Sequence, residues 1–191
     1  GTDGAMGGWS YLHSDTPGHS DGMDPELATR WIQFADWSTT TRNHAYTDRS
    51  VWAWGDDVEE HSRNSRMLRY RLLPYIYTYS YHIWEHAWPM TRPYRLAYPG
   101  QADDNKYAYM FGGEFLVAPV YKPSAEFSGG LMDVFLPEGE QWVDYWTHET
   151  FNGNQTIQVD VSVEKMGRVP LFVKRGAIIP MGPEIFHIDP D

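Results

Sequence analysis

Three groups of polar side chains in this 191-residue chain have types and spacings that could do chemistry. The first is Asp15 with His19, at the turn Ser14-Asp15-Thr16-Pro17-Gly18. A carboxylate at a strand end can accept hydrogen bonds from sugar hydroxyls, and in a barrel of parallel strands the C-terminal strand ends face the active site. The plainer alternative is that Ser-Asp-Thr-Pro-Gly is good turn chemistry and nothing more. The second group is Arg42-Asn43-His44. It closes the next strand and so reaches the same rim as Asp15. Neutral imidazole offers one donor and one acceptor, although a lone histidine can equally be a satisfied core residue. Arg42 is expected to pair with a neighbouring carboxylate and fix its loop. The third group is His82-Ile83-Trp84-Glu85-His86, formally the H-x-x-E-H pattern of inverted zinc peptidases. Histidines four apart share one helix face and can reach one metal. So short a pattern arises easily among 8 His and 26 acidic residues. No metal is therefore assigned, and a zinc hydrolase using His82 and His86 stays a distant alternative.

The elements that must position these groups follow from periodicity and punctuation. Residues 9–13, WSYLH, suit a short strand. Asp24-Pro25-Glu26 supplies an N-cap, a proline at the first helical position and an acidic first turn. Leu27, Trp31, Phe34 and Ser38 follow at helical spacing, with Arg30 and Gln33 on other faces, which predicts an amphipathic helix of about four turns. Residues 39–44 read as a strand running into a loop, and 45–60 as a loop carrying Trp52, Trp54 and the acidic run DDVEE. Residues 62–88 read as mainly helical, with Leu68, Leu72, Ile76, Tyr79 and Ile83 on one stripe. Pro74 should kink or split that helix. Strand–helix–strand–helix is the rhythm of an α/β barrel. After Pro89 the character changes to short β-rich runs separated by turn signals, which suggests an antiparallel sandwich. The domain boundary is expected at 91/92, giving 1–91 as barrel and 92–191 as β domain.

Composition narrows the classes. A complete (β/α)8 barrel takes roughly 250 residues, so this chain can hold only part of one. The formal net charge of −11 disfavours nucleic acid and anionic membranes, which are bound through clustered Lys and Arg. The absence of cysteine excludes disulfides and thiolate metal sites. No run approaches 18 apolar residues, so no membrane span is expected. The opening GTDGAMGG has neither the basic nor the apolar region of a signal peptide, and it does not read as a natural start. An aromatic content of 16% leans towards carbohydrate, because flat rings cover the C–H faces of pyranoses. A non-catalytic carbohydrate-binding module therefore remains open. The triplet Asn154-Gln155-Thr156 fits a glycosylation sequon and is assigned no function.

Taken in order, the blocks SDTPGH (14–19), RWIQFADWSTTTRNH (30–44), RLLPYIYTYSYHIWEHAWPMTRPYRLAYP (71–99), GQADDNKYAYMFGGEFLVAPVY (100–121), QWVDYWT (141–147) and RVPLFVKRGAIIP (168–180) resemble the C-terminal part of glycoside hydrolase family 31, the α-glucosidase and α-xylosidase family. The resemblance runs from about Gly8 to Met181. It implies the C-terminal portion of a (β/α)8 TIM barrel followed by an antiparallel β-sandwich domain. Asp15 matches a family Asp and Gly18 the glycine after it, while His19 stands where an aromatic residue is usual. His44 matches the histidine of a family Arg-x-His, which contacts hydroxyls of the bound sugar. The substrate-binding set implied is thus Asp15, His44 and His19, with Arg42 supporting. Residues 141–147 resemble the family's Trp-x-Asp-x-Trp-Thr strand and 168–176 its final hairpin; both report fold.

The resemblance also implies a retaining glycosidase that works without a cofactor. One carboxylate attacks the anomeric carbon and a second protonates the leaving oxygen, the two lying about 5–5.5 Å apart. In the family both are Asp on earlier barrel strands, so both are expected upstream of Gly1, in a missing N-terminal part of the same enzyme. Gly55-Asp56 superficially fits a Gly-Asp motif but follows the RNH strand, whereas the family's acid precedes it. The implied partner is an oligosaccharide or glycoside, most simply an α-glucoside or α-xyloside, with an α-galactoside or a sulfosugar as the alternatives. The run His13-Ser14-Asp15 is mildly reminiscent of the sulfosugar branch.

Overall fold

The computed structural model describes residues 2–18, 22–102 and 106–185. The first half comprises α1 (Thr2–Met6), β1 (Asp15–Thr16), α2 (Pro25–Asp36), β2 (Arg42–Asn43), a 3-10 turn at Val51–Trp54, α3 (Asp56–Arg71) and α4 (Leu73–His86). The second half comprises β3 (Thr91–Pro93), α5 (Tyr94–Ala97), β4 (Tyr109–Phe111), β5 (Phe115–Val117), β6 (Leu131–Leu136), β7 (Gln141–Asp144), β8 (Thr150–Asn152), β9 (Gln155–Asp160) and β10 (Leu171–Lys174). Among the described residues, no helix is long and apolar enough to cross a membrane.

In the first half, β1 and β2 pair in parallel, with Asp15 opposite Arg42 and Thr16 opposite Asn43. The α2 helix between them begins as its sequence predicts. Asp24 Oδ1 accepts from the Leu27 amide at 2.9 Å, and Pro25 occupies the first turn. Its buried face differs from the predicted stripe. Leu27 is exposed, while Arg30 and Gln33 are buried. The cause is polar docking: Arg30 Nη2 donates to the Val161 carbonyl at 2.8 Å, and Gln33 Nε2 to the Met166 carbonyl at 2.7 Å. A helix lying against irregular backbone must offer donors to its orphan carbonyls, and an apolar stripe does not predict such a contact.

The acidic run read as a loop is the first turns of α3, which opens with Asp56, Asp57 and Glu59. Negative charge there is favoured by the helix dipole. Pro74 divides the long helix as expected: α3 ends at Arg71, and Pro74 sits in the first turn of α4, where its missing N–H costs nothing.

The second half is built from one six-stranded antiparallel sheet, in the order β3-β4-β5-β10-β7-β8, and a two-stranded β6-β9 ribbon. Both faces of the large sheet are covered. Met110, Leu116, Trp142 and Phe172 pack with Met132, Val134 and Leu136 of the ribbon. The alternate residues Tyr109, Phe111, Phe115, Val117 and Leu171 pack with Trp37, Leu72, Tyr75 and Ile83 of the helical half. This period-2 division explains why β4, β5 and β10 read as continuous apolar runs rather than alternating ones.

The motif at 141–147 gains a physical reading. Trp142 is fully buried and donates to the Pro137 carbonyl at 3.0 Å. Asp144 Oδ1 accepts from the Trp146 and Thr147 amides, both at 2.8 Å, and so turns the chain. Trp146 Nε1 then donates to the Val169 carbonyl at 2.7 Å.

Three expected strands are not formed. Residues 9–13 are irregular, held by the Thr39 side chain, which accepts from the Leu12 amide at 2.7 Å and donates to its carbonyl at 3.1 Å. Tyr94–Ala97, inside a run read as β-rich, is a short helix. The return arm of the final hairpin, 177–180, makes no ladder after Gly176, and Ile178 is 90% exposed. The sheet position beside β10 is already taken by β7 on one side and β5 on the other.

Candidate functional site

The turn after β1 is closed by the Gly18 amide donating to the Asp15 carbonyl at 2.9 Å. Gly18 has φ +109°, and a Cβ there would press on the Trp31 ring at 3.2 Å and Met23 Sδ at 3.3 Å, so the glycine is required twice over. Trp31 Nε1 donates to Ser14 Oγ at 3.0 Å and ties this turn to α2. The turn reading and the site reading of this segment are thus compatible. The turn fixes the backbone, and the carboxylate it carries is only partly covered.

Across the ladder, Arg42 Nε and Nη2 donate to Asp15 Oδ1 at 3.0 and 2.8 Å. This is the carboxylate partner Arg42 was expected to need. Directly after it, the His44 amide donates to the Thr16 carbonyl at 3.1 Å, which extends the parallel pairing by one bond. Asp15, Arg42 and His44 therefore stand at the ends of two neighbouring parallel strands. The His44 ring is exposed and lines an open cleft of about 640 Å³ together with Asn43, Arg49, Trp52 and Arg66. The cleft lining takes in His44 and not Asp15. His19 lies outside the described residues. Asp56 is at the first position of α3 and does not end a strand.

Behind this rim lies a set of residues that motif reading missed. The Asp36 side chain, 1% exposed, receives Ser65 Oγ at 2.7 Å and faces Arg66 Nε at 2.6 Å. Burial pushes its carboxyl above the usual range, against the pull of Arg66 and Ser65. Arg66 Nη2 reaches on to Asn43 Oδ1 at 3.0 Å. Arg69 donates to the carbonyls of Asp36, Ser38 and Thr39 at 2.5, 2.7 and 3.0 Å. Together Arg66 and Arg69, three apart on α3, hold the segment that delivers Arg42 and His44. The signal for them was their shared face on the helix predicted over 62–88, but only the fold shows that this face meets the end of α2.

The His82, Glu85 and His86 side chains are all exposed on the last turn of α4, remote in sequence from the strand ends.

Parallel strand ends bearing polar side chains, backed by helices and joined to an antiparallel sandwich, define the closing part of an α/β barrel with a β domain behind it. Comparison with known proteins gives the family. Residues 1–79 match the glycosyl hydrolases family 31 TIM-barrel domain, and residues 87–179 match the glycosyl hydrolase family 31 C-terminal domain. The chain is 36% identical over 167 residues to a 1,6-alpha-glucosyltransferase of Sporosarcina globispora, which covers 85% of this chain and 13% of that protein. It is 30% identical over 187 residues to an alpha-xylosidase of Saccharolobus solfataricus, covering 93% of this chain and 24% of that one. Its fold superimposes on a family 31 dextranase of Flavobacterium johnsoniae, complexed with glucose, with a TM-score of 0.88 and 32% identity, covering 99% of this chain and 24% of that one. The chain belongs to glycoside hydrolase family 31, and its two parts are the end of the TIM barrel and the β-sandwich that follows. It spans 13–24% of the length of these relatives.

Proposed function

We propose that this chain is the rim-forming and β-domain part of a retaining α-glycosidase, with residues 1–91 completing the catalytic barrel and 92–191 forming the sandwich that supports it. Asp15 and His44 hold hydroxyls of the sugar whose bond is cleaved, His19 adds to the same wall, and Arg42 orients Asp15. The observation that carries the reading is the parallel register of β1 and β2. It supports the reading by setting Asp15 and His44 at the ends of two adjacent parallel strands, with Arg42 bonded to the Asp15 carboxylate. The attacking and protonating carboxylates are assigned to earlier strands of the full-length enzyme. Asp56 is not one of them, because it opens a helix rather than ending a strand. The substrate class is an α-linked glucoside or xyloside, in keeping with the glucose-bound dextranase and the alpha-xylosidase among the relatives.

The test uses the full-length enzyme. Asp15→Ala and His44→Ala should each lower kcat/KM for a p-nitrophenyl α-glycoside by about 100-fold or more, since hydrogen bonds to sugar hydroxyls strengthen in the oxocarbenium-like transition state by several kcal/mol. The covalent glycosyl intermediate should still be trapped by a fluorinated donor, because the nucleophile is untouched. An unchanged kcat/KM in His44→Ala would remove the site assignment.

A further inference from the structure

The last turn of α4 carries an imidazole–carboxylate–imidazole set for which the glycosidase reading has no use. His82 and His86 lie one helical turn apart, their rings nearly parallel at 28° and 5.8 Å between centroids. Glu85 Oε2 is 3.3 Å from His86 Nε2. One ligand atom from each of the three residues falls within 4.8 Å of the others. We infer that His82, Glu85 and His86 form a surface site for a divalent transition-metal ion, with zinc the natural occupant, and that the bound ion staples the end of α4.

Four features argue for it. Zn²⁺ takes imidazole nitrogen and carboxylate oxygen at about 2.0–2.2 Å, so its donors stand roughly 3.3 Å apart in a tetrahedron. The three side chains are exposed, so small rotations close the remaining gap and water can supply the fourth ligand. The backbone beneath them is fixed: Ile83, in the same turn, is buried in the cluster with Met90 and Phe111. The helix ends here, with Ala87 at φ +55° donating to the Ile83 carbonyl at 2.9 Å. The negative end of the helix dipole therefore lies beside the site and favours a cation.

Donor type sets the selectivity. Two imidazoles and one carboxylate suit Zn²⁺, Co²⁺, Ni²⁺ or Cu²⁺, whereas Ca²⁺ and Mg²⁺ require oxygen. The location sets the role. The site is on an exposed helix end, so the inference is a structural ion and not a hydrolytic centre. From Ala87 the chain crosses in four residues to β3, the edge strand of the large sheet. An ion bridging positions 82 and 86 resists fraying of the turn that launches this crossing.

The experiment is calorimetric titration of the full chain with ZnCl₂ in a non-chelating buffer, alongside CaCl₂. One saturable Zn²⁺ site per chain is expected, with no saturable heat for Ca²⁺ and a higher melting temperature in saturating zinc. His82→Gln and His86→Gln should each weaken Zn²⁺ binding by about tenfold or more and abolish the thermal shift. Their metal-free melting curves should overlay the parent's, because both residues are exposed. His148→Gln, in the β7–β8 turn, should bind zinc as the parent does. Absence of saturable Zn²⁺ binding, equal affinity in the His82→Gln/His86→Gln double variant, or loss on His148→Gln instead would overturn the site.

Discussion

Arg69 is the residue whose removal should most clearly separate support of the site from the site itself. Its guanidinium spans three carbonyls, those of Asp36, Ser38 and Thr39, at 2.5–3.0 Å. These span the end of α2 and the approach to β2. Burial lowers the Arg69 pKa, and the nearby Asp36 charge acts against that shift. Truncation to Ala would strip a charge-assisted partner from three backbone acceptors and leave Arg66 as the one cation beside the buried Asp36 carboxyl. Removing one member of a buried, hydrogen-bonded charge set costs about 3–5 kcal/mol, which is a large share of the roughly 5–15 kcal/mol that holds a domain folded. At about 2–4 °C per kcal/mol for a chain of this size, the melting temperature should fall by roughly 10 °C. Arg69→Lys should lose about half as much, because an ammonium cannot bridge three acceptors in fixed directions. Urea unfolding followed by tryptophan fluorescence would measure both, with an unchanged m-value showing that the native and denatured states are otherwise alike. In the full-length enzyme the same order, parent above Lys above Ala, is expected for kcat/KM, since the β2 approach positions Arg42 and His44. An Arg69→Ala chain that melts within about 2 °C of the parent would refute the reasoning, because it would mean that water replaces the guanidinium at no cost.

The remaining predictions concern the joint between α4 and the β4–β5 turn. Tyr79 Oη donates to Glu114 Oε2 at 2.7 Å and accepts from the Gly113 amide at 2.6 Å, so Tyr79→Phe should cost about 1–3 kcal/mol in chemical denaturation. Gly112 has φ +67°, and a Cβ there would run into the Tyr75 hydroxyl; Gly112→Ala should destabilise by more than Tyr79→Phe, seen as a larger loss of melting temperature. Burial and the Glu114 contacts push the Tyr79 hydroxyl up to about 12 and raise Tyr75 further. The folded state therefore keeps protons that the unfolded chain releases near pH 10. Stability from these groups is complete below about pH 10 and declines as pH rises towards 12. A pH series of urea midpoints should show that decline, and Tyr79→Phe should reduce its steepness.

Legibility in the sequence divided along physical lines. Local chemistry that acts on its own backbone was readable. Asp24-Pro25 started α2 where expected, and Pro74 cut the long helix at Leu72. The switch from helical to β character after Pro89 was equally plain, and with family resemblance the two-part architecture followed. The rim was readable in part. Asp15, Arg42 and His44 could be placed on adjacent strand ends, but the Asp15–Arg42 bond needed the register, which two-residue strands do not announce. Illegible were the contacts set by tertiary partners. Arg30 and Gln33 looked like the solvent face of α2 and are buried, because they serve the Val161 and Met166 carbonyls of a distant turn. Residues 177–180 looked like a strand and are none, because β10 already has neighbours on both edges.

The same division explains why the strongest motifs sit in the β domain. Trp142, Asp144 and Trp146 each satisfy a backbone group within the β domain, so their identities are dictated by short-range geometry and leave a dense signature. Under the proposed function, Asp15 and His44 answer to a sugar and to strands from elsewhere in the fold, and a single residue on each strand is all that such a role writes into the sequence. The weight of the assignment therefore rests on the β1–β2 register and on the Arg69-held segment that maintains it. Loosening that segment should lower turnover before it lowers β-domain order. Hydrogen exchange on Arg69→Ala should accordingly accelerate at 36–44 while the amides of β5, β7 and β10 stay protected; uniform acceleration across both halves would mean that the rim has no independent support.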